Sequence, residues 1–333
     1  MDLRFKLAFL RNNRDLFKLS ERERLYWFFR EQFRFGHREI LLDYLGMSYD
    51  NLIIGFLQHG FHGDASKPWP YQTLPKDFSS FYHAYVWNKV TETDALNQGY
   101  SHVKAIGSPW LYLLQNINNS PEADFETEKR DVLIVPSHGS GHYHALKDYM
   151  LLPALFRKEV GDCDASVLLY YTEYCDPDIK FSWEKVGFKV LCNGMGWGPD
   201  TRTLWSYNGG RPNFLRNAYR FLDSHDRVLC QSPTAFAVYS ASLGVPTKIC
   251  TSDFSPKTMG IVSAGKGVQR LRDYESRVDQ ISLTMLGAKF STYVDLDFKQ
   301  HLSLNALGQT EVKSPDSLRS ILQLSPGLIP LPE

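Results

Sequence analysis

DVLIVPS, residues 131–137, places four consecutive apolar side chains between an acidic residue and a Pro-Ser stop. Four further runs in the same half have this form: ASVLLYY (165–171), FKVLCNG (188–194), RVLCQS (227–232) and PTKICTS (246–252). A strand buried on one face alternates apolar and polar residues, whereas a strand buried on both faces is continuously apolar, as these are. Helix-compatible segments separate them, at about 142–158, 177–186, 212–224 and 233–243. Strands alternating with helices predict a parallel sheet wound on both sides.

The earlier part of the chain repeats the pattern on a smaller scale. NLIIGFLQ (51–58), AYVWN (84–88) and VKAIGSP (103–109) read as strands, and KVTETDALNQGYSH (89–102) reads as a short helix between the last two. The first strand runs into HGFHGD (59–64), two histidines and an aspartate interleaved with glycines. Residues 116–130, NINNSPEADFETEKR, are polar and acidic and read as a linker. The fold class is therefore α/β: two Rossmann-like halves with parallel sheets, a helical N-terminal segment and C-terminal helices. The expected divisions are 1–115 (helical over 1–48), the linker at 116–130, a second half at 131–265, and a helical tail at 266–333 containing VQRLRDYESRVDQISLTML and SPDSLRSILQL.

Composition narrows the function classes. The 333 residues carry 37 Lys plus Arg against 37 Asp plus Glu, so no net field points to nucleic acid as a partner. The five cysteines form no close CxxC pair and read as reduced core thiols of a cytoplasmic protein. No apolar stretch near the N-terminus suits a signal peptide or a membrane span. The opening segment FKLAFLRNNRDLFKLSERERLYWFFREQFRF (5–35) has two readings: a solvated basic face over an aromatic core face, or a peripheral surface for anionic lipid at the inner face of the membrane.

In an open parallel sheet the ligand lies beyond the carboxyl ends of the strands, so the residues at those ends are the candidates. After the first strand of the second half comes SHGSGHYH (137–144), in which His138, Gly139, Ser140 and Gly141 suit a phosphate or sugar loop. It is neither a GxGxxG nor a P-loop. A zinc site from His138, His142 and His144 is the alternative, and a plain glycine turn is the third reading. Glu173 follows the second strand, either to hold a ribose diol through its two acceptor oxygens or as a surface loop residue. Gly194 ends the third strand ahead of the glycine-containing MGWGPDTR (195–202). Arg211, before a helix start, suits a phosphate or carboxylate. After the fourth strand, Ser232 reads as an N-cap, Pro233 as the first helical residue and Thr234 as part of the first turn, an N-terminus aimed at an anion.

The succession LIIGFLQHGFHG, AYVWNKVTETDALNQGYSHVKAIGSPWLYLL, PSHGSGH and NFLRNAYRFLDSHDRVLCQSPTAFAVYSASLGVPTKI resembles bacterial surface-polysaccharide glycosyltransferases of the GT-B fold, over roughly residues 45–255. Capsule and teichoic-acid transferases with cytidine-activated donors have comparable pieces, although His138-Gly139 stands here for their His-Pro and Ser-Pro-Thr for their Ser-Ser. The resemblance implies metal-independent, inverting transfer of a sugar from a nucleotide-activated donor to a surface glycan or lipid-linked acceptor, with no cofactor. His59 or Asp64 would be the base, Gly60 and His62 would lie on the acceptor side, and His138, Ser232 and Thr234 would meet the donor phosphate. Two alternatives stand beside it: a nucleotide-sugar epimerase on the same fold, and a non-catalytic glycan-binding envelope protein.

Overall fold

The computed structural model describes residues 35–49, 51–58, 60, 83–97, 99–119, 129–136, 151–194, 213–231, 234–250 and 292–325. In chain order the elements are α1 (His37–Leu45), β1 (Leu52–Ile53), β2 (Phe56–Leu57), β3 (Ala84–Val86), α2 (Lys89–Asn97), β4 (Val103–Ala105), α3 (Pro109–Asn119), β5 (Arg130–Val135), α4 (Leu152–Val160) and β6 (Ala165–Leu169). They continue with α5 (Tyr171–Tyr174), α6 (Pro177–Lys185), β7 (Lys189–Cys192), α7 (Asn213–Asp223), β8 (His225–Cys230), α8 (Ala235–Ser242), β9 (Thr247–Ile249), α9 (Leu296–Ala306), a 3-10 turn (Gln309–Glu311), α10 (Pro315–Ile321) and β10 (Leu324–Ser325).

Two parallel sheets form the frame. The larger has the order β7-β6-β5-β8-β9 and the smaller β2-β3-β4. The chain therefore leaves central β5 in one direction through β6 and β7, then returns to build β8 and β9 on the other side. That reversal, between β5 and β8, is the topological switch point at which doubly wound sheets open a crevice. The run that announced the sheet is divided between two layers. Leu133 and Val135 face a core shared with Phe214, Leu215 and Ala218 of α7 and Val238 of α8, while Val132 and Ile134 meet Phe156 of α4 and Trp183 of α6. Burying each such side chain is worth about 1.5–3 kcal/mol, so a polar residue at any of the four would be costly on either face.

The smaller sheet differs from expectation at its first strand. NLIIGFLQ is not one strand but two, because Gly55 interrupts it: a Cβ there would lie 2.6 Å from the His83 carbonyl oxygen and 2.6 Å from the Tyr85 ring. Upstream of the break, β1 pairs antiparallel with β10 of the tail; downstream, β2 pairs parallel with β3. The tail thus supplies a strand as well as helices. Helix α3 ends at Asn119, inside the stretch read as a linker, and β5 begins at Arg130, that stretch's last residue. The sequence 268–286, expected to be helical, lies outside the described residues, as does most of the basic N-terminal segment. Just beyond that segment, Arg38 and Glu39 of α1 are buried.

The tail binds both sheets. Lys299 of α9, 1% exposed, donates from Nζ to the Thr247 carbonyl at 3.1 Å and to the Thr292 carbonyl, and burial lowers its pKa. Asn88, beyond β3, donates to the Ala306 carbonyl at 2.7 Å, and Ser108, beyond β4, donates its N–H to Leu307. Gly308 sits so close to the end of β3 that a Cβ on it would fall 1.8 Å from the Trp87 carbonyl oxygen. Of the cysteines, Cys230 and Cys250 are buried and Cys163 and Cys192 half-buried, but Cys175 is exposed, because it ends the single turn of α5 at the surface. No helix among the described residues is long and apolar enough to cross a membrane.

Candidate functional site

The carboxyl ends of β5, β6, β7 and β8 form one edge of the larger sheet. Registers keep them level: Ile134 pairs with Val167 and Val135 with Cys230, while Leu169 pairs with Cys192. Beyond β6 the chain turns directly into α5, and this turn carries Glu173. The residue is 6% exposed, so the surface-loop reading is set aside: a carboxylate has been drawn under the sheet edge. Its neighbour across the edge is Cys192, whose thiol pKa is raised chiefly by burial, with the charges of Cys175 and Glu173 adding to it. Tyr171, on the same turn, has its phenol raised by a hydrogen bond with Cys175.

Beyond β7 stand Asn193 and Gly194. Gly194 adopts φ +79°, a left-handed conformation that favours glycine, and its N–H donates to Cys192 Sγ at 3.3 Å. Asn193 is 5% exposed, and neither its Oδ1 nor its Nδ2 has a hydrogen-bond partner among the described residues. It was missed in the sequence because an asparagine before glycine reads as a turn.

Beyond β8, the start of α8 differs from the expected capping. The N-cap is Thr234 and not Ser232, and the helix opens at Ala235, so Pro233 is not its first residue. The displacement follows from where the β-region backbone occurs, at φ −127° and ψ 166° on Thr234, whose carbonyl accepts from Ala237 and Val238. The Thr234 hydroxyl makes no capping bond. It lies beside Cys230, whose thiol is pushed up to about 12 by burial, with the hydroxyl moderating the rise. His138, Gly139, Ser140, Gly141, Arg211 and Ser232 lie outside the described residues.

The smaller sheet presents its own carboxyl edge. Gln58, 2% exposed, follows β2 and is fully used: its Oε1 accepts from the Trp87 N–H at 2.9 Å, its carbonyl from Trp87 Nε1 at 3.1 Å, and its Nε2 donates to the Gly60 carbonyl at 2.9 Å. This is the local reason the strand stops where it does. Gln58 thus ties the end of β3, at Trp87, to Gly60. His59, His62 and Asp64 themselves lie outside the described residues.

The two edges meet in a buried aromatic seam. Trp110 of α3 stacks on Tyr239 of α8 at 4.4 Å and 15°, and its indole N–H donates to Ser242 Oγ at 2.9 Å. Trp87 lies 6.4 Å from Tyr239, and Phe35 lies 4.8 Å from Phe214 at the start of α7. The beginning of α1 occupies this junction, with His37 against Trp87 at 6.4 Å. Glu39, 1% exposed, accepts from Arg38 at 3.0 Å and 2.8 Å on Oε1, while Oε2 has no hydrogen-bond partner among the described residues. Burial raises the Glu39 carboxyl pKa above the ordinary 4.5, against the lowering effect of Arg38. Helix α1 is further fixed by Asp43, which accepts from Arg216 of α7 at 2.9 Å. These acidic and imidazole groups were hidden in the sequence by a basic, amphipathic-looking segment.

No family model matches the chain, and no curated protein matches it. Among solved structures it is similar to UDP-GlcNAc 2-epimerase from Neisseria meningitidis bound to UDP-GlcNAc, at 11% identity and TM-score 0.40, covering 81% of this chain and 69% of that one. It is similar also to an S. aureus MnaA-UDP co-structure, at 12% identity and TM-score 0.37 with 79% and 70% covered, and to UDP-GlcNAc 2-epimerase from Methanocaldococcus jannaschii, at 13% and 0.37 with 85% and 73% covered. Likeness at this level is one of general architecture. The expectation of glycosyl transfer is corrected at this point: two of these structures are named as UDP-GlcNAc 2-epimerases, the alternative reading and not the main one, and none is named as a transferase. Both enzyme classes share the same two-sheet frame, and the strand pattern that suggested one suits the other equally.

Proposed function

We propose that this chain is an enzyme that binds a nucleotide-activated sugar along the carboxyl edge of the larger sheet and inverts a stereocentre of that sugar, with no acceptor substrate. The observation that carries the reading is the burial of Glu173 at the end of β6, next to central β5. In doubly wound sheets a carboxylate at this place accepts from ribose hydroxyls, and burial strengthens such bonds by excluding water.

A ring C–H of a sugar is not acidic by itself, so inversion at the carbon beside the anomeric centre would remove its proton as the C1–O bond to the diphosphate breaks, leaving a C1–C2 double bond, and return a proton to the opposite face as that C1–O bond re-forms. Atoms and charge balance without an oxidant or an acceptor, but acid–base groups are needed on both sides. Glu39 and His37 at the junction of the halves stand on one side, and the loop containing His59 and Asp64 is proposed to stand on the other.

The test is incubation of the chain with UDP-, CDP-, GDP- and dTDP-sugars in deuterated water without acceptor, followed by proton NMR. A second stereoisomer carrying deuterium at the inverted carbon is the expected result. Tight nucleotide-sugar binding with the sugar returned unchanged would overturn the epimerase reading while leaving the binding site intact.

A further inference from the structure

Asn193 has an arrangement that the fold alone does not require. It stands one residue beyond β7, 5% exposed, with both polar atoms of its amide unpartnered among the described residues. Native proteins leave few such groups, and a buried donor and acceptor left together call for a ligand or an ordered water. Leu191 of β7 packs against the core shared with α7, α8 and the smaller sheet, and strand alternation brings Asn193 to that same face. The amide is therefore at the carboxyl edge of the larger sheet and on the side turned toward the other half, where a doubly wound sheet takes its ligand.

We infer that Asn193 reads the base of the bound nucleotide. A primary amide offers a carbonyl acceptor and an N–H donor side by side in one plane. That pair complements the adjacent donor and acceptor on the edge of a nucleobase, such as the N3–H and a neighbouring carbonyl of uracil, or the N1–H and carbonyl of guanine. The adjacent strand end supplies the ribose contact. β6 and β7 end level, with Leu169 opposite Cys192, and neighbouring strands lie about 4.8 Å apart, the scale of the step from a ribose to its base. Glu173 on one strand end and Asn193 on the next would then divide the nucleoside between them. Gly194, at φ +79°, takes up a left-handed backbone conformation directly after the amide.

This inference rests on the nucleotide-sugar reading, and its test separates the two. Asn193→Leu replaces the amide with an apolar side chain of similar size. Removing two unsatisfied polar atoms should leave the ligand-free protein as stable as the wild type or raise its Tm by about 2–4 °C. The same substitution should weaken binding of the best nucleoside diphosphate at least tenfold, while inorganic pyrophosphate, which has no base, binds both proteins alike. Asn193→Ala serves as the second variant and should show the same loss of nucleotide binding with unchanged pyrophosphate binding. Unaltered nucleotide affinity in both variants would overturn the assignment, as would a parallel loss of stability, nucleotide and pyrophosphate binding. If the wild type itself binds no nucleoside diphosphate, the proposed function falls and this assignment falls with it.

Discussion

The two sheets are built on different terms. The central strands of the larger sheet are long enough and apolar enough to hold their place by their own side chains: Val132, Leu133, Ile134 and Val135 of β5 are all buried, shared between two layers, and only edge strand β9 is as short as three residues. Strands of the smaller sheet are two or three residues long and depend on other parts of the chain. The tail lends it β10, the Gly308 turn and the carbonyls of Ala306 and Leu307; the seam lends it Tyr239 and Ser242 of α8. One sheet has a central strand buried by its own side chains on both faces, and the other is assembled against it with help from the tail.

The largest effect that this contrast entails is at Gly308. A Cβ would fall 1.8 Å from the Trp87 carbonyl oxygen, on a residue whose φ is +77°, so Gly308→Ala must displace the tail from the end of β3. A loss of about 3 kcal/mol or more is expected in urea unfolding, from strain and a disrupted buried contact together. Wild-type stability in this variant would mean that the smaller sheet does not need the tail.

A smaller effect is expected in the seam. Trp110→Phe keeps a ring over Tyr239 but removes the indole N–H that donates to Ser242. The expected cost is about 1–2 kcal/mol, since a net hydrogen bond is worth about 1 kcal/mol and the smaller ring leaves a void. Unfolding followed by probes placed on each sheet should show the two transitions separating, with the smaller sheet melting first. Coincident transitions would show that the cover is more independent of Trp110 than its packing indicates.

The third effect is one of slope. The folded-state pKa of Glu39 is raised above its ordinary 4.5, so the folded protein binds this proton more tightly than the unfolded chain does. Its contribution to stability is therefore present in full below about pH 4.5 and is lost as pH rises through the folded-state value. Glu39→Gln removes that ionisation. The difference in unfolding free energy between wild type and variant should shift in favour of the variant as pH rises from 4.5 toward neutrality. A constant difference across this range would place the Glu39 carboxyl in water rather than at a buried junction.

How much of this was legible in the sequence follows the same division. Continuous apolar runs revealed the five strands of the larger sheet and their helices, since burial on both faces leaves little freedom of composition. NLIIGFLQ misled as a single strand because its break at Gly55 is imposed by His83 and Tyr85, contacts that no local pattern carries. The capping of α8 was displaced by two residues because Ser-Pro-Thr satisfies the usual N-cap preferences at Ser232, while the backbone makes its turn at Thr234. Glu173 was singled out for its place after a strand, but its burial, in the short helix α5, was not legible there. Asn193 and Glu39 were illegible for a common reason: their significance lies in buried polar atoms, the Asn193 amide and Glu39 Oε2, that have no hydrogen-bond partner among the described residues, and a sequence shows only the groups. The function was the least legible, since a frame of two parallel sheets does not by itself select sugar transfer or sugar inversion.

The most direct test of the nucleotide site proposed at the larger sheet is the melting temperature of the wild type and of Glu173→Gln with and without a saturating nucleotide-sugar. A ligand at one hundred times its Kd adds about 2.7 kcal/mol to the folded state, enough to raise the Tm by several degrees. The expected result is that rise in the wild type for at least one nucleotide-sugar, reduced or lost in Glu173→Gln although its ligand-free Tm stays close to the wild-type value. An equal rise in both proteins would remove Glu173 from the site, and no rise in the wild type with any nucleotide-sugar would contradict the nucleotide-sugar reading altogether.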